Sequence, residues 1–353
     1  MKKTSIGGQG VLEGVMMRAP KKSALAVRKE NGELTLDEWK NKERNEWYAK
    51  VPIIRGVVNF VDMMVMGYST ITKSAKMFDE SLSAEFEPSK FEKKIAEKTG
   101  KNAMDVMIVF AAFLGILLAV GLFFILPTLI TDLIKGSLEN QTLINLIEGG
   151  VRIVIMMIYM LAVRLMKDIA RVFGYHGAEH KTINCFEKDL PLTVENVRKC
   201  SRLHPRCGTS YILIVMVVSV LVYAVTGFSG HGILRVLVKL ALLPLIAGIS
   251  YEFLKFAAKS DNLCFRILRW PGMQLQRLTT LEPDNGMIEC AILAFEAALE
   301  EKSAEEIEEM RKSFDRRVNK PEETTEEAEI SAENPAEETA NETEESCVTN
   351  EQA

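Results

Sequence analysis

The stretch His176-Gly177-Ala178-Glu179-His180-Lys181-Thr182 concentrates most of the chemistry this chain can offer. Two histidines four apart, with a glutamate between them, have the His-x-x-Glu-His spacing used by one class of zinc hydrolase. If residues 170–185 are helical, the two imidazoles lie about 40° apart around the axis and Glu179 falls on the same side. Two imidazoles one turn apart can hold one divalent metal, zinc being the first candidate. Glu179 beside them could act as a general base toward water. Catalytic zinc usually takes three protein ligands, so a third is needed.

The candidates for it are His204, Cys207 and Glu252. His204 and Cys207 stand three apart in His204-Pro205-Arg206-Cys207-Gly208, and Glu252 lies near the end of an apolar run, where a carboxylate suggests a function or a partner. Glu252 could instead serve as a proton relay. Lys181 and Arg206 could hold an anionic substrate such as a lipid phosphate. Each residue also has a structural reading. The histidines could bond backbone carbonyls, Cys207 could fill apolar space, and Glu252 could pair with Lys255 or with an arginine from another segment. A Cys/His nucleophile pair lacks a convincing orienting group.

The elements that must position these residues are mostly membrane helices. Apolar residues make up 48% of the 353 positions, but they are segregated. Four runs, at about 106–130, 146–166, 211–225 and 234–256, read as membrane spans; the first covers the ~30 Å hydrocarbon layer outright when helical, and the shortest, 211–225, needs flanking turns to do so. Arg152 and Arg164 stand near the ends of the second run, where long basic side chains can snorkel to headgroups. Between the second and third runs lies a polar loop, 167–210, carrying eight Lys or Arg residues together with the histidines and Cys207. The positive-inside rule puts this loop and both termini in the cytoplasm. That topology brings His176, His180, His204, Cys207 and Glu252 to one face.

The remainder reads as soluble structure around that membrane domain. Residues 1–50 form a small β region. Its glycine-rich start lacks Gly-Lys-Ser/Thr and so is no phosphate-binding loop, which leaves tight turns or close packing as the use of its glycines. Glu30-Asn31-Gly32 between two alternating runs signals a hairpin. Residues 52–78 make an amphipathic helix lying on or beneath the membrane, followed by a linker to 102. Beyond the fourth run, 259–318 is helical, with a turn at Pro271-Gly272 and a helix from 287 to about 317 whose apolar face carries Ile288, Ile292, Phe295, Ala298 and Leu299. The tail from about 319 is Glu-rich and expected to be disordered. Without its twelve glutamates, 43 basic residues outnumber 36 acidic ones. A basic body next to apolar runs fits an anionic leaflet rather than nucleic acid. No signal peptide is expected, and six cysteines without a C-x-x-C pair argue for reduced thiols.

Five motifs in order carry a family resemblance: Gly7-Gly8-Gln9-Gly10-Val11-Leu12-Glu13-Gly14-Val15-Met16-Met17-Arg18, Pro52-Ile53-Ile54-Arg55-Gly56-Val57, Tyr175-His176-Gly177-Ala178-Glu179-His180-Lys181-Thr182, His204-Pro205-Arg206-Cys207-Gly208-Thr209-Ser210, and Pro271-Gly272-Met273-Gln274-Leu275-Gln276 with Thr279-Thr280. Together they resemble the YqhQ-like family of bacterial multi-pass membrane proteins, over about residues 4–300. The resemblance implies a polytopic membrane fold and a metal-dependent enzyme, with no particular reaction. The expectation is therefore a mainly α, four-span membrane protein with a metal-dependent hydrolase site at its cytoplasmic face. The alternative is a non-catalytic scaffold or assembly factor that docks partners on the N-terminal hairpin and the 52–78 helix.

Overall fold

A computed structural model of the chain describes residues 6–41, 47–78, 103–134, 140–205, 207–226, 232–257, 262–299 and 301–315. The expected linker (79–102) and the acidic tail (319–353) lie outside the described residues.

The N-terminal region is a four-stranded antiparallel meander, β1 (Gly7–Val11), β2 (Gly14–Arg18), β3 (Lys22–Arg28) and β4 (Leu34–Lys40), in that spatial order. The β3–β4 hairpin is the one signalled by Asn31-Gly32, and Asn31 Oδ1 accepts the Glu33 amide at 2.9 Å. The glycine-rich stretch adds a second hairpin, β1–β2, which its composition had not identified as strand. Alternation along the strands gives the sheet two apolar faces. Val15, Met17, Ala24, Ala26 and Leu34 join the larger core, while Val11, Met16, Leu25 and Val27 pack against Met66, Met77 and Phe78. The latter three belong to α1 (Ile54–Phe78).

The larger core is built on α11 (Asn285–Leu299). The expected single helix to residue 317 is in fact two. The first ends at Leu299, and α12 (Ala304–Ser313) starts from a capping box between Ser303 and Glu306. Nor is α11 apolar on one face only. It is buried all round, so alanines fill the positions where neighbours crowd it: Ala291, Ala294, Ala297 and Ala298.

Four helical segments are long and apolar enough to cross a membrane: Val109–Leu133, Gln141–Arg164, Gly208–Thr226 and Leu234–Ala257. The first is made of α2 (Ala103–Val120) and α3 (Leu126–Ile134), joined by a π-helical turn at Gly121–Ile125. The second is α4 (Gln141–Arg164), capped by the Asn140 side chain, and the third is α7 (Gly208–Thr226). The fourth is α8 (Gly232–Ala241) running into α9 (Leu243–Ala257). Large apolar side chains on these segments stay exposed, such as Leu118, Ile158 and Leu221. Such surface belongs against lipid rather than water. Arg152, expected to snorkel, is instead buried beside Glu148.

The polar loop 167–210 is largely helical. Twenty-one of its residues form α5 (Lys167–Glu187) and a short α6 (Val194–Arg198) follows. The expected turn at Pro271-Gly272 also gives way to helix, because both residues lie inside α10 (Leu263–Thr279). Gly272 is there for proximity to α7: a Cβ would fall 2.8 Å from Ser210 Cβ. On the opposite side α1 bridges the two regions. Gly56 meets Gly248 of α9, Phe60 lies 6.1 Å from the Tyr211 ring of α7, and the far end of α1 covers the sheet.

Candidate metal centre

Helix α5 gathers the site because its other faces can bury. Tyr175, Gly177, Ala178, Ile183 and Cys185 are buried, most of them against the core around α11. At its N-terminal half Arg171 makes a bidentate ion pair with Glu13 in the β1–β2 turn, and the Tyr175 hydroxyl donates to the same carboxylate at 3.1 Å. This tie sets β1 directly over the next turn, where His176, Glu179 and His180 point.

The two histidines are held alike. His176 Nδ1 is 2.9 Å from the Thr279 carbonyl oxygen and His180 Nδ1 is 2.6 Å from that of Arg202. A carbonyl only accepts, so Nδ1 carries the proton in both rings and Nε2 is the free coordinating atom. Metal-ligating histidines are commonly oriented by such a bond from the other ring nitrogen. The rings lie 4.5 Å apart. His176 Nε2 is 3.2 Å from Cys207 Sγ, and the three donor atoms of His176, His180 and Cys207 all fall within 4.8 Å of one another. Cys207 precedes the first turn of α7, where the Thr209 amide (3.4 Å) orients its sulfur.

Glu179 completes the group. Its Oε2 stands 3.7 Å from His176 Nε2 and 3.6 Å from His180 Nε2. The residue is buried and Oε2 has no hydrogen bond among the described residues, although the carboxylate accepts from the Gly8 backbone amide. Bonds of about 2.1 Å to nitrogen and oxygen and about 2.3 Å to sulfur put the donors of a tetrahedral ion about 3.4–3.7 Å apart. Glu179 Oε2 lies close to that range from both imidazoles and Cys207 Sγ lies 3.2 Å from that of His176, while the His176, His180 and Cys207 donors as a set are looser, within 4.8 Å, so closing on one ion would need a small inward shift. Burial pushes the Glu179 carboxyl above the ordinary range, against the opposing pull of His176 and His204.

The other expected residues take different places. His204 is adjacent, its ring 5.8 Å from that of His180, but Nε2 faces Glu187 Oε2 at 3.5 Å. Its backbone is clamped by Gln276, whose side chain accepts from the His204 amide (2.9 Å) and donates to its carbonyl (2.8 Å). Between the third-ligand candidates, the geometry brings Cys207 into the set. Glu252 does not join it, because its carboxylate is held by a two-pronged contact with Arg55 of α1, 2.6 Å at one prong. Lys181, expected to face an anion, is buried, donating to the Arg198 carbonyl at 2.7 Å and paired with Glu282. Arg206 lies outside the described residues.

Sequence reasoning missed three supports of the site. Two are backbone groups, the Thr279 and Arg202 carbonyls, which no residue type announces. The third is Gln276, fully buried and also bonded to Ser210 Oγ at 3.0 Å. Its presence in the Pro271–Gln276 motif was a signal that could have been used.

Residues 51–301 match the family described as "Protein of unknown function (DUF1385)". The chain belongs to this DUF1385 family. It is also similar to "Uncharacterized protein YqhQ" of Bacillus subtilis (strain 168), 32% identical over 298 residues that cover 83% of this chain and 92% of that protein. No solved structure matches. The DUF1385 region runs from the start of α1 through α11 and so contains His176, Glu179, His180 and Cys207. Neither match names a metal or a reaction, so the case for an ion rests on the donor geometry.

Proposed function

We propose that this DUF1385 protein is a metal-dependent hydrolase working at the cytoplasmic face of a bacterial inner membrane. The observation that carries the reading is the convergence of His176 Nε2, His180 Nε2, Cys207 Sγ and Glu179 Oε2, with both imidazoles already turned by backbone carbonyls. His176, His180 and Cys207 would hold the ion, zinc being the first candidate for this donor set. A divalent ion there supplies Lewis-acid polarisation of a substrate carbonyl or phosphoryl oxygen.

Glu179 is the general base. Among the described residues it is the carboxylate that faces the donor atoms, and burial raises its proton affinity, which suits it to take a proton from the attacking water. Beside it, His204 and Glu187 offer a buried pair toward which that proton can pass. The substrate is a membrane-surface molecule, with an anionic lipid or phosphate-bearing group as the leading class, since the site's residues on α5 and at the start of α7 adjoin the membrane-crossing segments α4 and α7. With Lys181 engaged by Glu282, the anion contact falls to Arg206. The orientation follows from the basic residues between α4 and α7.

The scaffold alternative has less support. It needs a free docking surface on the N-terminal hairpin and the 52–78 helix; α11 and α1 cover the two faces of the sheet, although α1 keeps Val61, Met64 and Val65 exposed.

Metal analysis of the full-length protein in detergent tests the reading. About one zinc, iron or manganese per chain is expected, lost in His176→Ala/His180→Ala, with Glu179→Gln keeping metal but losing turnover of phosphoester or acyl-ester lipids. Metal-free wild-type protein purified without chelator would overturn it.

A further inference from the structure

Helix α1 touches both the membrane domain and the sheet, and its outward face is uncovered among the described residues. Ile54, Val61, Met64, Val65, Tyr68 and Ile71 are 40–62% exposed. At 3.6 residues per turn they fall within an arc of about 120° and form one stripe about 25 Å long. The two charges on this stretch lie off the stripe. Arg55 pairs with Glu252, and Asp62 has a buried carboxylate oxygen. Beyond Ile71 the same face carries Thr72 and Lys76.

Contacts on the inner face set the depth of the stripe. Gly56 lies on Gly248, where a Cβ would fall 2.8 Å from the Gly248 Cα. Gly248 is nine residues from the end of α9, about 13 Å along that span. Phe60 lies against Tyr211, the fourth residue of α7, whose hydroxyl donates to the Ala247 carbonyl at 2.9 Å. Met63 reaches Gly208, the first residue of α7. From there the helix leaves the spans: Gly67 faces Gln9 of β1, and Met77 and Phe78 pack on the sheet. Helix α1 therefore starts below the ends of two spans and climbs out past them.

The entry turn is built for that depth. The Ile54 and Arg55 amides donate to the Pro52 and Val51 carbonyls at 2.7 and 3.0 Å, the Ile53 amide donates to the Glu252 carboxylate, and Pro52 has no N–H to satisfy. Trp47 and Tyr48 lead in, as residues that favour the interface, and the exposed Lys50 can snorkel to it. At the same level α7 and α9 keep Ile212 and Leu245 exposed, which continues the apolar surface. The segment that follows α1, 79–102, has eleven charged residues in twenty-four positions, a composition unsuited to covering the stripe at hydrocarbon depth.

We propose that α1 is a re-entrant helix whose outer stripe is seated among the acyl chains of the leaflet on the metal-centre side, tilted so that Ile54 is deepest and Ile71 reaches the headgroups. Such a helix is sunk into the bilayer rather than laid on its surface, and lipid, not a docked protein, covers Val61, Met64 and Val65. It holds whether or not the metal centre is hydrolytic.

Nitroxide labelling of the full-length protein in phosphatidylcholine–phosphatidylglycerol vesicles tests it. Val61→Cys, Val65→Cys, Lys76→Cys and Ile158→Cys are labelled singly with Cys264 and Cys347 changed to serine, since Cys185, Cys200, Cys207 and Cys290 are buried. Collisions with oxygen, which concentrates among acyl chains, are compared with those of a water-soluble nickel chelate. Ile158 of α4 is the lipid-facing reference. Positions 61 and 65 are expected to match it, with an oxygen-to-nickel ratio several-fold above that at position 76. Nickel access at 61 and 65 with 158 in lipid overturns the re-entrant helix alone, and nickel access at all three overturns the membrane domain with it. Low collision with both reagents at 61 and 65 means a protein cover, from this chain, a second copy or a partner, and also overturns the proposal. If the labelled variants fail to reconstitute, wild-type protein in vesicles containing a phospholipid with a diazirine on its acyl chain decides. Lipid adducts mapped to residues 54–68 support the proposal, and none there refutes it.

Discussion

Gly10 of β1 lies directly on the backbone of His176. A Cβ at position 10 would fall 2.5 Å from the His176 amide nitrogen and 2.6 Å from the Val172 carbonyl oxygen. Both are helix backbone atoms and cannot move aside without shifting α5. The glycine-rich strand therefore acts as a thin wall against the metal-centre helix. Gly10→Ala is expected to destabilise the protein by about 1–3 kcal/mol through overpacking, and to weaken metal retention as His176 shifts. Gly7→Ala meets nothing within 4 Å and is the control, expected within about 0.5 kcal/mol of wild type. Chemical unfolding of the two variants checks this; equal effects would refute the wall.

The donor set separates two neighbours that the sequence left equivalent. Cys207→Ser and His180→Ala should each lower metal affinity by tenfold or more, measured by competition with a chromophoric chelator. His204→Gln should retain a full complement of ion, because Nε2 of His204 faces Glu187 rather than the other donors. Loss of metal in His204→Gln equal to that in Cys207→Ser would move the third ligand back to His204.

Burial of Glu179 predicts a pH dependence in chelated protein. Its carboxyl is held above the ordinary range, so the folded state binds this proton more tightly than the unfolded state does. Stability from this group is then greatest below the ordinary carboxyl pKa of about 4.3 and falls as pH rises from there through the folded value. Glu179→Gln removes that penalty. The metal-free variant should exceed wild type in Tm at neutral pH, with the advantage vanishing near pH 4. Parallel Tm–pH curves for the two proteins would count against it.

Arg55 and Glu252 tie α1 to α9. Arg55→Ala should lower Tm by leaving the Glu252 carboxylate without its partner in an apolar segment. The exchanged pair, Arg55→Glu with Glu252→Arg, should recover part of the loss. Metal content should stay unchanged throughout, since Glu252 is outside the donor set. Metal loss in Glu252→Gln would return this residue to the site.

Cys185 and Cys290 are buried, and burial pushes each thiol up to about 12. At pH 8 only about one part in ten thousand is thiolate at such a value. Neither should be alkylated by iodoacetamide in native protein over an hour, as read by peptide mass spectrometry. Rapid labelling of either would show that the core around α11 opens.

Much of this architecture was legible in the residues themselves. A 20-residue apolar run has few alternatives to a membrane helix, because the backbone must bond to itself there. His176, Glu179 and His180 share a helical face by spacing alone, and Asn31-Gly32 marks its hairpin. Local periodicity and local turn chemistry settle such features without long-range contacts. Their partners across elements were not legible. That Cys207 approaches His176 while His204 turns to Glu187, that Arg55 engages Glu252, and that Glu148 collects three cations from two helices all depend on how α1, α4, α7, α8 and α10 pack. Even Pro271-Gly272, a turn by its local signal, lies inside α10, where Gly272 is used for close packing on Ser210 of α7. The sequence determined the helices, the spans and the pair of histidines, since these follow from neighbours within a few residues. Only the tertiary structure decided which third donor meets them and which charges are buried together, because those distances are set by packing between segments far apart in the chain.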